Sequence, residues 1–208
     1  MTRGRFITLE GGEGAGKTTA AGWIVEWLEN RGHNVVRTRE PGGTIAAERI
    51  RDLLLDPEIG DLESVTELLL MFAARAENLA RIIRPALENG QTVLCDRFTD
   101  ASRAYQGGGR KLGIQLVDRL ADLVHPDLQP DLTVLLDVPV EIGMERVRQR
   151  GNQTDRFERA RQEFLERVRA AYLSQARVEP ERIAVIDASR DMSEVRNQVL
   201  RVLEARLG

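Results

Sequence analysis

Gly11-Gly12-Glu13-Gly14-Ala15-Gly16-Lys17-Thr18 lies between the apolar run Phe6 to Leu9 and a segment with helical spacing that carries Trp23, Val25, Trp27 and Leu28. The octapeptide fits G-x-x-x-x-G-K-[ST], and a strand before it with a helix after it is the setting in which that pattern binds phosphate. Glycines let the backbone turn its N–H groups inward, the helix N-terminus adds partial positive charge, Lys17 reaches the β and γ phosphates, and Thr18 offers a hydroxyl to Mg2+. Gly11 to Thr18 are therefore expected to hold a nucleoside triphosphate. They do not identify the group that accepts its phosphate.

Short apolar runs recur at Val35 to Val36, Thr92 to Cys95, Leu132 to Val138 and Ile183 to Ile186, with longer helical segments between them. Five strands joined by helical crossovers predict an α/β fold: one five-stranded parallel sheet with helices on both faces. No repeat or Pro/Gly/Ser-rich linker divides the chain, so residues 1–208 are read as a single domain. Ligands of such sheets bind at the carboxyl ends of the strands, and Gly11 to Thr18, Arg39 to Thr44 and Asp96 to Arg110 all follow predicted strands. Asp96, ending an apolar strand, is the candidate second group on the metal side; capping of the next helix is the alternative. Cys95 would face away from it as a small buried residue. A second apolar stripe, Phe157, Phe164, Leu165, Val168 and Tyr172, reads as core.

Composition narrows the partners. The chain of 208 residues is 42% hydrophobic and 30% charged with a net charge of −3, so it lacks the basic excess that binds nucleic acid polymers. The uncharged stretch Leu68 to Ala74 is far short of the ~20 residues of a bilayer span, and Phe6 to Leu9 is too short for a secretory signal, so no membrane partner and a cytoplasmic location are expected. One cysteine and two histidines, His33 and His125, exclude a disulfide and make a zinc site improbable. Of 30 basic residues only Lys17 and Lys111 are lysines, which singles out Lys17.

Switch GTPases carry an N-K-x-D motif, and neither lysine stands in one. Motor ATPases end the metal strand in an acidic pair, whereas Arg97 follows Asp96. A strand ending in Asp-Arg suits a kinase of small phosphorylated molecules, which needs a cation near the metal. Arg39-Glu40-Pro41-Gly42-Gly43-Thr44, Phe72-Ala73-Ala74-Arg75, Asp96-Arg97-Phe98, Ser102 and Tyr105-Gln106-Gly107-Gly108-Gly109-Arg110 together resemble the bacterial type of thymidylate kinase, from about Phe6 to Asp187.

That resemblance implies a three-layer P-loop NTPase fold, a homodimer, and transfer of the ATP γ-phosphate to dTMP with Mg2+, giving dTDP and ADP. The acceptor is already an oxyanion, because a phosphate monoester has its second pKa near about 6, so no general base is needed. The remaining work is alignment of two polyanions and neutralisation of charge. Alternatives are a monophosphate kinase with another base preference and a non-catalytic nucleotide-binding regulator.

Carried over by position, the resemblance places Arg97 on the dTMP phosphate with Arg39 and Arg51 nearby, although Arg51 would equally suit a solvated helix face. Glu40 falls near the metal or its waters, and Glu13 near the deoxyribose and acceptor. Arg75 would donate to thymine O4, Ser102 and Gln106 would read the N3 edge, and Tyr105 would lie against the sugar. The base would be covered by Phe72 or Met71. A lid at about 146–157, with Arg146, Arg148, Arg150 and Arg156, would close over ATP; Arg146 is also compatible with a charged outer helix face. Some thymidylate kinases carry an arginine inside the phosphate loop, where this chain has Glu13 and Ala15. Arg150 and Arg156 are therefore the expected sources of the missing transition-state cation. Asp187-Ala188-Ser189 would lie beside the adenine.

Overall fold

Strand β1 (Phe6–Gly11) forms the middle of the sheet, and its register explains the layout on either side. The computed structural model describes residues 3–149 and 158–208. Within them β2 (Val35–Arg39), β3 (Thr92–Asp96), β4 (Leu132–Asp137) and β5 (Ile183–Asp187) join β1 in the all-parallel order β2-β3-β1-β4-β5. The strands run one or two residues further than their apolar runs at the carboxyl end of β1, β3 and β5. Those extra residues, Glu10, Gly11, Asp96 and Asp187, are carried to the sheet edge by ladder hydrogen bonds.

Alternation along β1 divides the molecule. Ile7 and Leu9 point into a core with Ile24 and Leu28 of α1 (Lys17–Glu29) and Val199 and Leu203 of α9 (Met192–Leu207). Phe6 points the other way, into a core with Val93, Cys95 and Phe98. Period-two geometry puts Thr8 and Glu10 on the Phe6 side. In β3 the same rule sends Leu94 toward α1 and Cys95 to the opposite core, as expected, so Asp96 is on the α1 side with the phosphate loop.

The helices over the second face are α3 (Ser64–Asn78), which runs through a π-helical turn at Leu79–Ile83 into α4 (Arg84–Glu88), and α5 (Thr99–Ser102), which continues as a π-helical stretch Arg103–Gly109. They are joined by α6 (Ile114–Val124) and α8 (Glu158–Val178). Gly108 and Gly109 have a packing reason. A Cβ on Gly108 would lie 2.7 Å from the Ala171 methyl and one on Gly109 2.5 Å from the Phe164 ring, so α8 can approach only a bare backbone. On the remaining flank, α2 (Ile45–Leu55) begins with the Thr44 hydroxyl accepting from the Ala47 N–H at 3.1 Å, and α7 (Val140–Arg148) follows β4. Among the described residues no helix is long and apolar enough to cross a membrane. Arg150 and Arg156 fall at 150–157, outside the described residues, so the lid expectation is not addressed there.

Candidate active site

The loop Gly12–Gly16 opens at the carboxyl end of β1 and delivers the chain into α1. Gly16 stands at the N-cap with φ +89°, no side chain caps the helix, and its first N–H groups are left for an anion. Gly14 has no alternative: a Cβ there would meet the Gly143 carbonyl oxygen at 2.2 Å. The Lys17 ammonium folds back to the Gly11 carbonyl at 3.3 Å. Burial, with Arg97 nearby, pulls its pKa down to about 8. Glu13, at the loop tip, is ion-paired to Arg161 on α8.

Beside the loop, Thr18, Thr38, Arg39, Gly43, Glu48 and Asp96 line one cleft. Among the described residues Asp96 Oδ1, buried in it, has no hydrogen-bond partner. A hydroxyl and an orphaned carboxylate oxygen fit Mg2+, which takes few protein ligands and leaves the rest to water and phosphate. Among the described residues no group of three ligating side chains competes with that arrangement. Arg39 Nη2 donates to Glu48 Oε2 at 2.8 Å, while Glu48 Oε1 accepts from the Gly43 N–H at 2.8 Å. Arg51 is half-buried and donates to the Pro41 carbonyl at 2.9 Å, which removes it from the solvated-face alternative. The Arg51 pKa is lowered chiefly by burial and then by Arg39, against the opposing pull of Glu48 and Asp96.

Arg97 has φ +71°, a left-handed turn that swings its side chain from the end of β3 back over the sheet edge. Its Nη2 donates to the Tyr105 hydroxyl at 3.0 Å and its Nη1 to the Tyr172 hydroxyl at 3.2 Å. Tyr172 donates in turn to Glu10 Oε2 at 2.7 Å, and Glu10 Oε1 accepts the Phe98 N–H at 2.7 Å. Glu10 is fully buried, and burial together with Asp100 raises its pKa to about 7 against the pull of Arg97 and Tyr172. Tyr172, read from the sequence as plain core, is thus buried but also joins Glu10 to Arg97.

The third corner is built on Arg75, the largest fully buried side chain. Its Nε donates to Glu40 Oε2 at 2.6 Å and its Nη2 to the Ser102 hydroxyl at 3.0 Å, while among the described residues its Nη1 has no partner. The guanidinium lies 4.4 Å over the Phe72 ring and 5.1 Å from that of Phe98. Phe72 is 3% exposed among Leu68, Val117 and Ala121, with its ring also parallel to that of His125 at 6.5 Å; Met71 is half-buried. Glu40, expected near the metal or its waters, is buried against Arg75. Both of its oxygens are engaged in the protein, Oε2 by Arg75 and Oε1 by Asn78 Nδ2 at 3.5 Å, and Asn78 is held by the Thr38 hydroxyl at 2.8 Å. The physical reason is the buried guanidinium, which needs a buried carboxylate. Gln106 donates its amide N–H to Glu67 at 2.7 Å, and its Oε1 is buried without a partner.

On the far side of the loop, Arg146 corrects the outer-face alternative. It donates to the Ala188 carbonyl at 2.9 Å and to Gly14 at 3.5 Å, tying α7 to the phosphate loop. With Ala188, Trp23, Thr19, Arg190 and Met192 it lines a second pocket next to the loop. The residues missed in the sequence are Glu10, Glu67, Asn78 and Arg161. Glu10 alone had a local signal: a carboxylate ending an apolar strand just before the glycines.

The family model described as thymidylate kinase matches residues 9–199. A thymidylate kinase from Chromohalobacter salexigens is 56% identical over 208 residues, covering 100% of this chain and 98% of its own. One from Bordetella pertussis is 54% identical over 197 residues, covering 95% and 93%. The crystal structure of thymidylate kinase from Ehrlichia chaffeensis superposes with a TM-score of 0.78 at 37% identity, covering 97% of this chain and 99% of that one.

Proposed function

The chain belongs to the thymidylate kinase family, and from that premise we propose how its residues share the transfer of the ATP γ-phosphate to dTMP. The observation that carries the assignment is the pair of orphaned groups in the third corner. Arg75 Nη1 is a donor and Gln106 Oε1 an acceptor, both buried and unpaired, and thymine presents the complement in O4 and N3–H. Ser102 acts by holding Arg75 Nη2. Tyr105, already bonded to Arg97, would lie against the sugar.

The donor polyphosphate rests on the loop Gly11-Gly12-Glu13-Gly14-Ala15-Gly16-Lys17-Thr18, with Lys17 leaving the Gly11 carbonyl to meet it. Arg97 takes the dTMP phosphate, and Arg39 and Arg51 add positive charge at the same edge. No side chain needs to remove a proton, because the attacking phosphate is already ionised. Thr18 and Asp96 would hold Mg2+, which supplies charge neutralisation on the phosphates. Glu13 borders the acceptor side and, through Arg161, the start of α8. Arg150 and Arg156 are proposed to supply the cation at the point of transfer. The pocket of Arg146, Ala188 and Trp23 suits the adenine.

A cytoplasmic homodimer without nucleic acid or membrane partners completes the proposal. Leu68, Phe72 and Ala74 are spent on the core, so the outward Val65 and Leu69 of α3, 48% and 52% exposed, are the part available to a second copy. ADP release from ATP and Mg2+, measured for dTMP against other nucleoside monophosphates, tests the assignment.

A further inference from the structure

Glu67 carries no role in the assignment above, yet its contacts reach the base corner. Its Oε1 accepts from Gln106 Nε2 at 2.7 Å, and its Oε2 accepts from Arg110 Nε at 3.1 Å and Nη2 at 2.8 Å. Glu67 sits in the first turn of α3, where the helix dipole favours a carboxylate, and its side chain is 17% exposed. Arg110 directly follows the π-helical stretch that bears Gln106.

A glutamine amide can turn by half a rotation about its last bond and exchange donor for acceptor with almost no change of shape. A free Gln106 would therefore offer its oxygen to the N3–H of thymine or its amine to the bare N3 of cytosine. A carboxylate accepts only, so Glu67 obliges the amine of Gln106 to face it and leaves the oxygen on the other side. That oxygen is the buried, unpaired Oε1. Arg110 donates from Nε and Nη2 to the other oxygen, Oε2, and leaves Oε1 to Gln106.

We propose that Glu67 is a specificity-positioning residue, which fixes the amide of Gln106 so that the site presents an acceptor, and never a donor, to position N3 of the pyrimidine. The inference rests on the reading that Gln106 faces the N3 edge. Arg75 discriminates at position 4; Glu67, acting through Gln106, adds an independent discrimination at position 3.

The test compares kcat and KM for dTMP and dCMP in three variants, each with a melting curve. Glu67→Gln is isosteric but its amide can donate to Gln106, so the flipped amide becomes admissible. The dTMP-over-dCMP ratio of kcat/KM should fall by about ten-fold or more, with the loss falling on the KM for dTMP more than on kcat. Arg110→Ala breaks the same ion pair while leaving Glu67 an acceptor, and should keep the ratio within about three-fold. An unchanged ratio in Glu67→Gln, or equal losses in Glu67→Gln and Arg110→Ala, overturns the proposal. Gln106→Ala separates the two levels. If it leaves both the KM for dTMP and the ratio at wild-type values, the N3 reading itself fails; if it raises that KM while Glu67→Gln changes nothing, only the role of Glu67 fails.

Discussion

Replacing Tyr172 by Phe removes one oxygen and no volume, so it isolates the link between Glu10 and Arg97. The hydroxyl accepts from Arg97 Nη1 at 3.2 Å and donates to Glu10 Oε2 at 2.7 Å. Both bonds involve an ionisable partner, each worth about 1.5–3 kcal/mol when present. Arg97 keeps Tyr105 and Glu10 keeps the Phe98 N–H, so part of the loss is recovered. We expect a stability loss of about 2 kcal/mol, or a Tm lower by roughly 4–8 °C for a chain of this size. The loss should depend on pH in a set direction. The Tyr172 hydrogen bond lowers the Glu10 pKa, which burial has already raised from 4.5 to about 7. An acid whose folded pKa exceeds its unfolded one is destabilised as pH rises from the unfolded value through the folded one. Without Tyr172 that folded value climbs, so the deficit of the variant should be larger at pH 8 than at pH 5. In the assay, a less firmly held Arg97 should raise the KM for dTMP by about ten-fold while the KM for ATP changes little. A variant with wild-type KM for dTMP and a deficit equal at both pH values would refute the link.

Three further outcomes follow from the same site. Lys17 has its pKa pulled down to about 8 by burial and by Arg97, so the free enzyme loses its loop cation as pH rises through that value, and the KM for ATP should climb above pH 8. Lys17→Ala should abolish turnover with an unchanged melting curve, since among the described residues Lys17 Nζ bonds to the Gly11 carbonyl alone. Replacing Arg150 or Arg156 by Ala should lower kcat by on the order of 100-fold with a smaller effect on the KM for dTMP, measured under saturating ATP and Mg2+; wild-type kcat in both single variants and the pair would leave the charge to Arg97 and the metal. Sedimentation at micromolar concentration should give a dimer that Leu69→Glu converts to monomer, whereas a monomeric wild type would leave Val65 and Leu69 as ordinary surface.

The sheet was legible because a buried parallel strand is a continuous apolar run, and Leu132 to Val138 or Thr92 to Cys95 reads as nothing else. The phosphate loop was legible because its residues act in sequence order on one ligand. Glu10 and Tyr172 were not, because the bond between them spans 162 positions and exists only once α8 packs on β1. Tyr172 also fits its helical stripe, so periodicity assigns it to the core and misses its hydroxyl. The ion pair of Glu40 with Arg75 was not legible for a similar reason: the two lie 35 positions apart and meet only in the folded core. Arg146 left two readings open, lid arginine or charged outer face, because its spacing in α7 suits both and its partner, the Ala188 carbonyl, lies 42 residues away. Gln106 was legible as a position, but which of its two polar ends faces the ligand depends on Glu67, 39 residues away.

The central claim is that the orphaned Arg75 Nη1 and Gln106 Oε1 select thymine while the phosphate loop and Arg97 align the phosphates. The most direct measurement is ADP release from ATP and Mg2+ with dTMP, dCMP, dAMP and dGMP, by the wild type and by Arg75→Ala. The account predicts that the wild type favours dTMP over dCMP by roughly ten-fold or more, the equivalent of about 1–3 kcal/mol for an unpaired buried group, and that Arg75→Ala shrinks this preference. Equal use of dTMP and dCMP by the wild type, or an unchanged preference in Arg75→Ala, would contradict it.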